Sequence, residues 1–288
     1  MEQNPNYVIW LVRRDLRLEN NRTLMSAAET GGTVIPLFVI QETADNGINK
    51  KFNNFLLSGL NGLDAELEKL NSGLLVKIGD PVTIISAFSK LLRAPVFVEE
   101  DYSPPFLELM KQLNPLVELK VIRGLTIFHP SEVTRDSNHA FKVYSQFRKK
   151  WESLPRPKVP ITDLKAIRFV HRKAFDSDTR HPKTTTLVTG AKKAKELFHK
   201  FLSSEGKLLN YGSKRSRVDY QTTSHLSPFI NLGMISVESI FQEVSTMESD
   251  KELKDSERKS INIWLNELIW REFFQASLFH FPESVTTT

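Results

Sequence analysis

Over the first 130 residues, short β-branched and aliphatic runs alternate with stretches whose apolar positions recur every three and four. Tyr7 to Arg14, Thr33 to Gln41, Leu74 to Asp80, Ala94 to Glu100 and Glu118 to Gly124 read as strands. Between them, Arg22 to Thr30, Phe52 to Asn71, Pro81 to Arg93 and Pro104 to Leu113 read as helices. Asn20 or Asn21 and Asp80 stand where N-caps belong, and Pro81 takes a first helical position, where its missing N–H costs nothing. This βαβ rhythm predicts a Rossmann-like, parallel five-stranded sheet with helices on both faces, and it favours ligands at the carboxyl ends of the strands. No GxGxxG or GxxxxGK[ST] occurs, which disfavours a standard dinucleotide or P-loop site.

The pattern changes after residue 130. Pro155, Pro157, Pro160 and Pro182 fall among basic and polar residues with no sustained period, so 131–190 reads as a long linker. Beyond it the period is helical. Ala194, Leu197, Phe198, Phe201 and Leu202 make one stripe opposite Lys192, Lys193, Lys195 and Lys200, with Gly206 as the stop. Ser236 to Met247 and Glu257 to Phe281 continue the pattern. The predicted organisation is an α/β domain over 1–130, a linker over 131–190 and a helical unit over 191–288.

Composition narrows the chemistry. With 40% apolar and 25% charged residues, the chain has enough core-forming material to exclude wholesale disorder. Cys is absent, which removes disulfides, thiolate zinc, iron-sulfur clusters and Cys nucleophiles together and fits a reducing compartment. The start lacks a basic region before a long apolar run, and no stretch approaches about 18 uninterrupted apolar residues. Secretion and membrane contact are disfavoured. An intracellular protein is expected. Charge is uneven: 131–220 carries 21 basic against 9 acidic residues, net +12, between segments of net −2 and net −5. A basic belt of this kind is either a polyanion-binding surface or a solvated face.

The seven His are scattered, and neither HExxH nor GxSxG occurs, so zinc-hydrolase and α/β-hydrolase readings fail on spacing. The informative stretch runs from Trp264 to Phe274. At 100° per residue, Trp264, Glu267, Trp270, Arg271 and Phe274 share an arc of about 120°, with Leu265, Leu268, Ile269 and Phe273 on the rest. Apolar groups all round draw the carboxylate and the guanidinium inward, where they need partners; the bland alternative is a Glu267–Arg271 pair on a wet face. A second cluster, Tyr211 to Arg217 followed by Thr222 to Pro228, sets hydroxyls and cations ahead of a helix. That suits phosphate oxygens, and it equally suits ordinary turn and cap chemistry. Trp10 reads as core, and Arg13 to Arg17 as a salt-bridged domain junction.

Taken in order, these pieces resemble the DNA photolyase and cryptochrome family, most closely its cyclobutane pyrimidine dimer photolyases. Val8 to Asn20 looks like the family's opening strand and RxDLRLxDN turn, and Phe141 to Phe147 resembles its interdomain segment. Tyr211 with Arg215, then Thr223 to Pro228, is similar to its flavin-phosphate region, and Trp264 to Phe274 to its WLNELIWREFY helix. The resemblance implies an antenna domain followed by a helical domain that binds FAD, with blue light driving electron transfer to a flipped-out pyrimidine dimer in double-stranded DNA. Carried residue by residue, Tyr211, Thr223, Ser224, Leu226 and Ser227 would hold the FAD phosphates, and Trp264, Arg271 and Phe274 would line the flavin side. Glu267 would bond the dimer's base edges, Trp270 would stack on it, and Arg215 would grip backbone phosphate. A second antenna chromophore, a folate or a deazaflavin, is implied as well.

Against the family pattern, the chain stops before the C-terminal half that would supply Asp and Asn side chains facing the flavin ring and a tryptophan relay. Trp10, Trp151, Trp264 and Trp270 are its four tryptophans, and none matches that relay. The expectation is an incomplete helical domain with impaired repair. A complete chain would be monomeric, and the exposed helical face would permit association. The rival readings are a cryptochrome-type light receptor and an inactive remnant that binds nucleic acid or protein.

Overall fold

The computed structural model describes residues 6–41, 50–135, 139–174, 189–203, 207–217, 219–220 and 222–285. Strands β1 (Tyr7–Leu11), β2 (Thr33–Ile40), β3 (Leu75–Ile78), β4 (Val96–Glu99) and β5 (Leu119–Ile122) form one parallel sheet in the order β3-β2-β1-β4-β5. Helices α1 (Arg22–Glu29), α2 (Lys50–Glu68), α3 (Pro81–Leu92) and α4 (Pro104–Leu113) connect successive strands. The caps are the expected ones. Asn21 accepts from the Leu24 N–H at 2.9 Å, and Asp80 from the Thr83 N–H at 2.8 Å.

Side chains alternate across a strand, so the sheet builds two cores. Ile9 and Leu11 face α3 and α4, where Ile85, Phe106 and Leu113 cover them. Val8 and Trp10 face α1 and α2, in a cluster that continues without a break into the helical part. That part consists of α5 (Tyr144–Glu152), α6 (Ala191–Leu202), α7 (Tyr211–Lys214), α8 (Ser227–Asn231), α9 (Val237–Glu248) and α10 (Asp255–His280). α6 buries Ala194, Phe198, Phe201 and Leu202 as a single stripe. α10 is buried on more than one side, at Trp264, Leu265, Leu268, Ile269 and Glu272, as an all-round apolar helix must be. No helix among the described residues is long and apolar enough to cross a membrane.

Two expectations change. The stretch 131–190 is more than a linker, because its described part contains α5, whose Phe147 and Trp151 enter the core. It also carries a parallel bridge from Phe169 to Val34, and Ser72 Oγ donates to Val170 O at 2.7 Å. Only two residues of α5 are buried, too few to raise a helical period above a basic background. Pro182 and Gly206 lie outside the described residues.

The second change is at the carboxyl end of β1, where the strand order reverses. It is filled, not open. The Trp10 indole donates to Asp15 Oδ2 at 2.7 Å, and the Arg13 N–H donates to Asp15 Oδ1 at 3.0 Å, which closes the chain into a tight turn. Arg17 Nη1 then donates to Gly233 O at 3.0 Å, the Leu16 N–H to Leu232 O at 3.2 Å and Arg14 Nε to Asn231 O at 2.9 Å. With the Arg14–Asp101 pair at 3.1 Å, Arg13 to Arg17 forms the domain junction that the sequence suggests, and Trp10 is fully buried core.

Candidate functional site

A cavity of about 630 Å³ lies between α7, α8 and α10. Three separated segments build it. Tyr211 comes from α7, Thr223, Ser224, Leu226 and Ser227 from the turn into α8, and Trp264, Glu267, Leu268, Arg271 and Gln275 from α10. Arg14, at the junction, is the one lining residue from the α/β part. α7 lies close on α10 because Gly212 has no side chain: a Cβ there would meet Ile263 and Ser260 at 3.0 Å, and the Gly212 N–H donates to Ser260 Oγ at 3.2 Å. The turn into α8 is set by His225, at φ 55°, a left-handed conformation that non-glycine residues adopt at some cost.

The hydroxyls are partly engaged locally. Thr223 Oγ1 and His225 Nε2 are 3.2 Å apart, and the Leu226 N–H donates to Ser224 Oγ at 3.4 Å. At the opposite wall, Arg271 is held by Glu272 Oε1 at 3.1 Å and by Leu125 O at 3.0 Å. Burial draws the Arg271 guanidinium below its ordinary range, with Glu272 pulling the other way. Glu272 accepts from the Ile127 and Phe128 N–H groups at 2.8 and 3.2 Å, and burial still pushes its carboxyl up to about 7. Burial also raises the Tyr211 phenol, and the nearby Glu267 charge adds to it.

Several placements depart from the expected face. Glu267 is on the cleft wall, but it accepts from Arg215 Nη1 at 2.8 Å, so the Glu267–Arg271 pair does not form. Trp270 and Phe274 stand outside the lining. Trp270 stacks on Tyr144 of α5 with centroids 3.5 Å apart and planes within 6°, and the Tyr144 hydroxyl bonds the Asn266 side chain. Phe274 is 60% exposed and packs against Trp270 at 5.8 Å. Sequence reasoning missed Arg14, Ile230, Asn231, Leu268 and Gln275 as lining residues, and Glu272 as the partner of Arg271. Gln275 carried a signal, since it stands one turn beyond Arg271 and three turns beyond Trp264.

A profile of the DNA photolyase family matches residues 8–164. The chain belongs to this family. It is 24% identical over 303 residues to a deoxyribodipyrimidine photo-lyase of Synechococcus sp. (strain ATCC 27144), covering 96% of this chain and 61% of that protein. It therefore spans about three fifths of that relative's length. An uncharacterized 31.6 kDa protein of Synechococcus sp. (strain PCC 6716) is 27% identical over 286 residues, with 93% of this chain and 99% of that protein covered. Among solved structures, a cryptochrome of Synechocystis sp. PCC6803 superposes with a TM-score of 0.79 at 22% identity, covering 97% of this chain and 62% of that one. The photolyase fold, with its parallel sheet and helical unit, is thus common to both.

The cleft can be tested against the FAD that family resemblance implies. Its volume falls within the roughly 300–1,000 Å³ usual for small-molecule sites. Hydroxyls and two guanidinium groups border it, and Trp264, Leu226 and Leu268 supply apolar wall. Inside it, Gln275 Oε1 is buried without a hydrogen-bond partner among the described residues. A native interior seldom leaves such an acceptor unpaired, and a ligand donor would satisfy it. The residues present fit the group.

Proposed function

We propose that this protein holds FAD in the α7–α8–α10 cleft and performs blue-light-driven repair of cyclobutane pyrimidine dimers in double-stranded DNA, by electron transfer to a flipped-out lesion. The observation that carries this is the convergence of Tyr211, Thr223, Ser224, Leu226, Ser227, Trp264 and Arg271 on one cavity from three segments of chain. Bound FAD would supply light absorption and one-electron chemistry. The hydroxyls and backbone of Thr223 to Ser227, with Tyr211, would hold its phosphates. Trp264 would shield its apolar part, Arg271 would balance its charge and Gln275 Oε1 would accept from one of its hydroxyls.

On the DNA side, Arg215 and Glu267 would exchange partners. Their pair is nearly half exposed on both sides, and pairs of that kind are worth about 0–1 kcal/mol. Opening it to give Arg215 a backbone phosphate and Glu267 a base edge is therefore cheap. Trp270 keeps one face against Tyr144. Stacking of the lesion on its remaining surface would return roughly 1–3 kcal/mol against the few kcal/mol that extrusion of a damaged base costs.

A second reading, a cryptochrome-type light receptor, is favoured by the same two contacts, because Glu267 and Trp270 are both engaged by this chain's own residues. The discriminating experiment begins with gel filtration after incubation with FAD, followed by binding of Glu267→Ala and Trp270→Ala to duplexes with and without one thymine dimer. Repair predicts flavin co-eluting with the protein and a loss of at least about fivefold on the damaged duplex, with intact DNA bound almost as before. Equal losses on both duplexes would overturn the repair reading in favour of the receptor. Colourless protein with steeply salt-dependent, lesion-blind DNA binding would overturn both and leave the remnant.

A further inference from the structure

α10 has a second cavity on its other side. Asn262, Leu265 and Ile269 face it, about 140° round the helix from the residues that line the cleft. It has a volume of about 260 Å³, and Phe128, Trp151 and Phe241 form its aromatic walls. Trp151 meets Phe128 and Phe241 edge-on, both at 5.0 Å.

Two polar atoms in these walls have no partner among the described residues. Trp151 Nε1 and Ser245 Oγ are buried without a hydrogen bond, on residues only 3% and 1% exposed. They belong to different helices, α5 and α9, yet line the same space. Buried donors are normally satisfied, and a ligand seated in the cavity would satisfy both. Ordered water alone is a poor answer. The volume is several times the roughly 30 Å³ share of one water molecule, and half of the lining residues, Phe128, Trp151, Leu154, Phe241, Leu265 and Ile269, are aromatic or aliphatic.

The charges at the mouth indicate what else could enter. Arg148 is paired with Glu152 at 2.8 Å, and Glu248 is engaged by Arg258 at 4.0 Å and by Asn262 at 3.4 Å. Arg156 differs. Its guanidinium lies 5.7 Å from the Phe241 ring centroid, and it has no carboxylate partner among the described residues. One unmatched cation, an aromatic wall and two unfilled hydrogen-bonding groups together describe a small, flat anion.

We propose that this cavity is a second ligand site, for a planar aromatic or heteroaromatic monoanion. Its carboxylate faces Arg156, and its ring oxygen, ring nitrogen or hydroxyl is bonded by Trp151 Nε1 and Ser245 Oγ. The site is separate from the cleft and does not depend on the cleft binding flavin.

The probe is 4-hydroxybenzoate, titrated into the full chain by ligand-observed NMR. 4-Hydroxybenzyl alcohol serves as the neutral control and cyclohexanecarboxylate as the non-planar one. Saturable binding is expected for 4-hydroxybenzoate, at least about tenfold tighter than for either control, and unaffected by saturating FAD. Arg156→Gln should weaken it about tenfold. Ser245→Ala and Trp151→Phe, which keep the walls but remove a hydrogen-bonding group, should each weaken it about two- to tenfold. Ser245→Ala is the smaller change, so it decides the matter if Trp151→Phe fails to fold. Absence of saturable binding, equal affinity for the three probes, competition by FAD, or a crystal soak showing only ordered water between Trp151 and Ser245 would each overturn the proposal.

Discussion

Glu99 sits where several charges meet. Its carboxylate is buried, with Arg17 Nη2 at 3.8 Å and the charges of Asp15, Arg14 and Arg271 nearby. Burial outweighs the pull of Arg17 and pushes it up to about 8 from an ordinary value of 4.5. A carboxyl raised on folding contributes stability that is full below its unfolded value and is lost as pH rises through the folded one. The window for Glu99 therefore runs from about pH 4.5 to about pH 8. Glu99→Gln copies the protonated form. It should leave stability little changed at pH 5 and raise it relative to the parent by on the order of 1–3 kcal/mol at pH 9, read from urea denaturation at both pH values. A parent chain that gains on the variant as pH rises would mean that the arginines stabilise an ionised Glu99. The sequence shows Glu99 only as an acid at the end of a strand. Its surroundings assemble from the turn after β1, from β4 and from α10, and no local pattern announces them.

At the scale of elements, docking of the helical part on the sheet passes through the α8–α9 turn. Gly233 there has φ +63°, and a Cβ would stand 1.7 Å from Arg14 O. Gly31 has a similar φ of +74°, but its nearest neighbour would be the Arg168 side chain at 3.9 Å. Gly31→Ala should therefore cost only the left-handed backbone penalty, about 1–2 kcal/mol. Gly233→Ala carries that penalty plus a backbone collision and should cost at least about 3 kcal/mol. Chemical denaturation of the two variants separates conformation from crowding, and equal losses would remove the close approach as a cause.

The same scale shows what the sequence made legible. All five strands and the four helices between them follow from alternation and period, because each element buries an apolar face along its own length, α2 against the helical part as well as the sheet. The face of α10 was harder. The expected arc included Trp270 and Phe274, whereas the cleft-lining arc is turned by about 40–60° to take in Leu268 and Gln275. Tyr144 explains the turn, since it captures the Trp270 face. It does so from α5, a helix hidden in a basic stretch that reads as a linker. A helical wheel ranks the faces of one helix; it does not show which partner claims each.

At the scale of the molecule, the domain division of the sequence meets a core that ignores it. One apolar cluster runs from Val8 and Trp10 of the sheet through α2 to Phe198, Met234 and Trp264 of the helical part. Polar links reinforce the seam: Asn20 Nδ2 donates to Ser239 Oγ at 2.7 Å, and Arg22 meets Glu238 at 2.9 Å. Two units sharing that much interior should not melt separately, so calorimetry should give one peak with calorimetric and van't Hoff enthalpies in agreement. Arg22→Ala probes the seam directly. It strands Glu238, only 5% exposed and already raised by burial. Breaking a buried pair costs about 3–5 kcal/mol, and the one-third exposure of the Arg22 side chain reduces that to about 1–3 kcal/mol. For a chain of this size the midpoint should fall by roughly 2–10 °C. Because the core is continuous, the sheet and the helices should shift together, with near-UV and far-UV signals superimposed across the transition. If the far-UV helical signal moves to lower temperature while a second transition stays where it was, the seam joins two independently stable bodies.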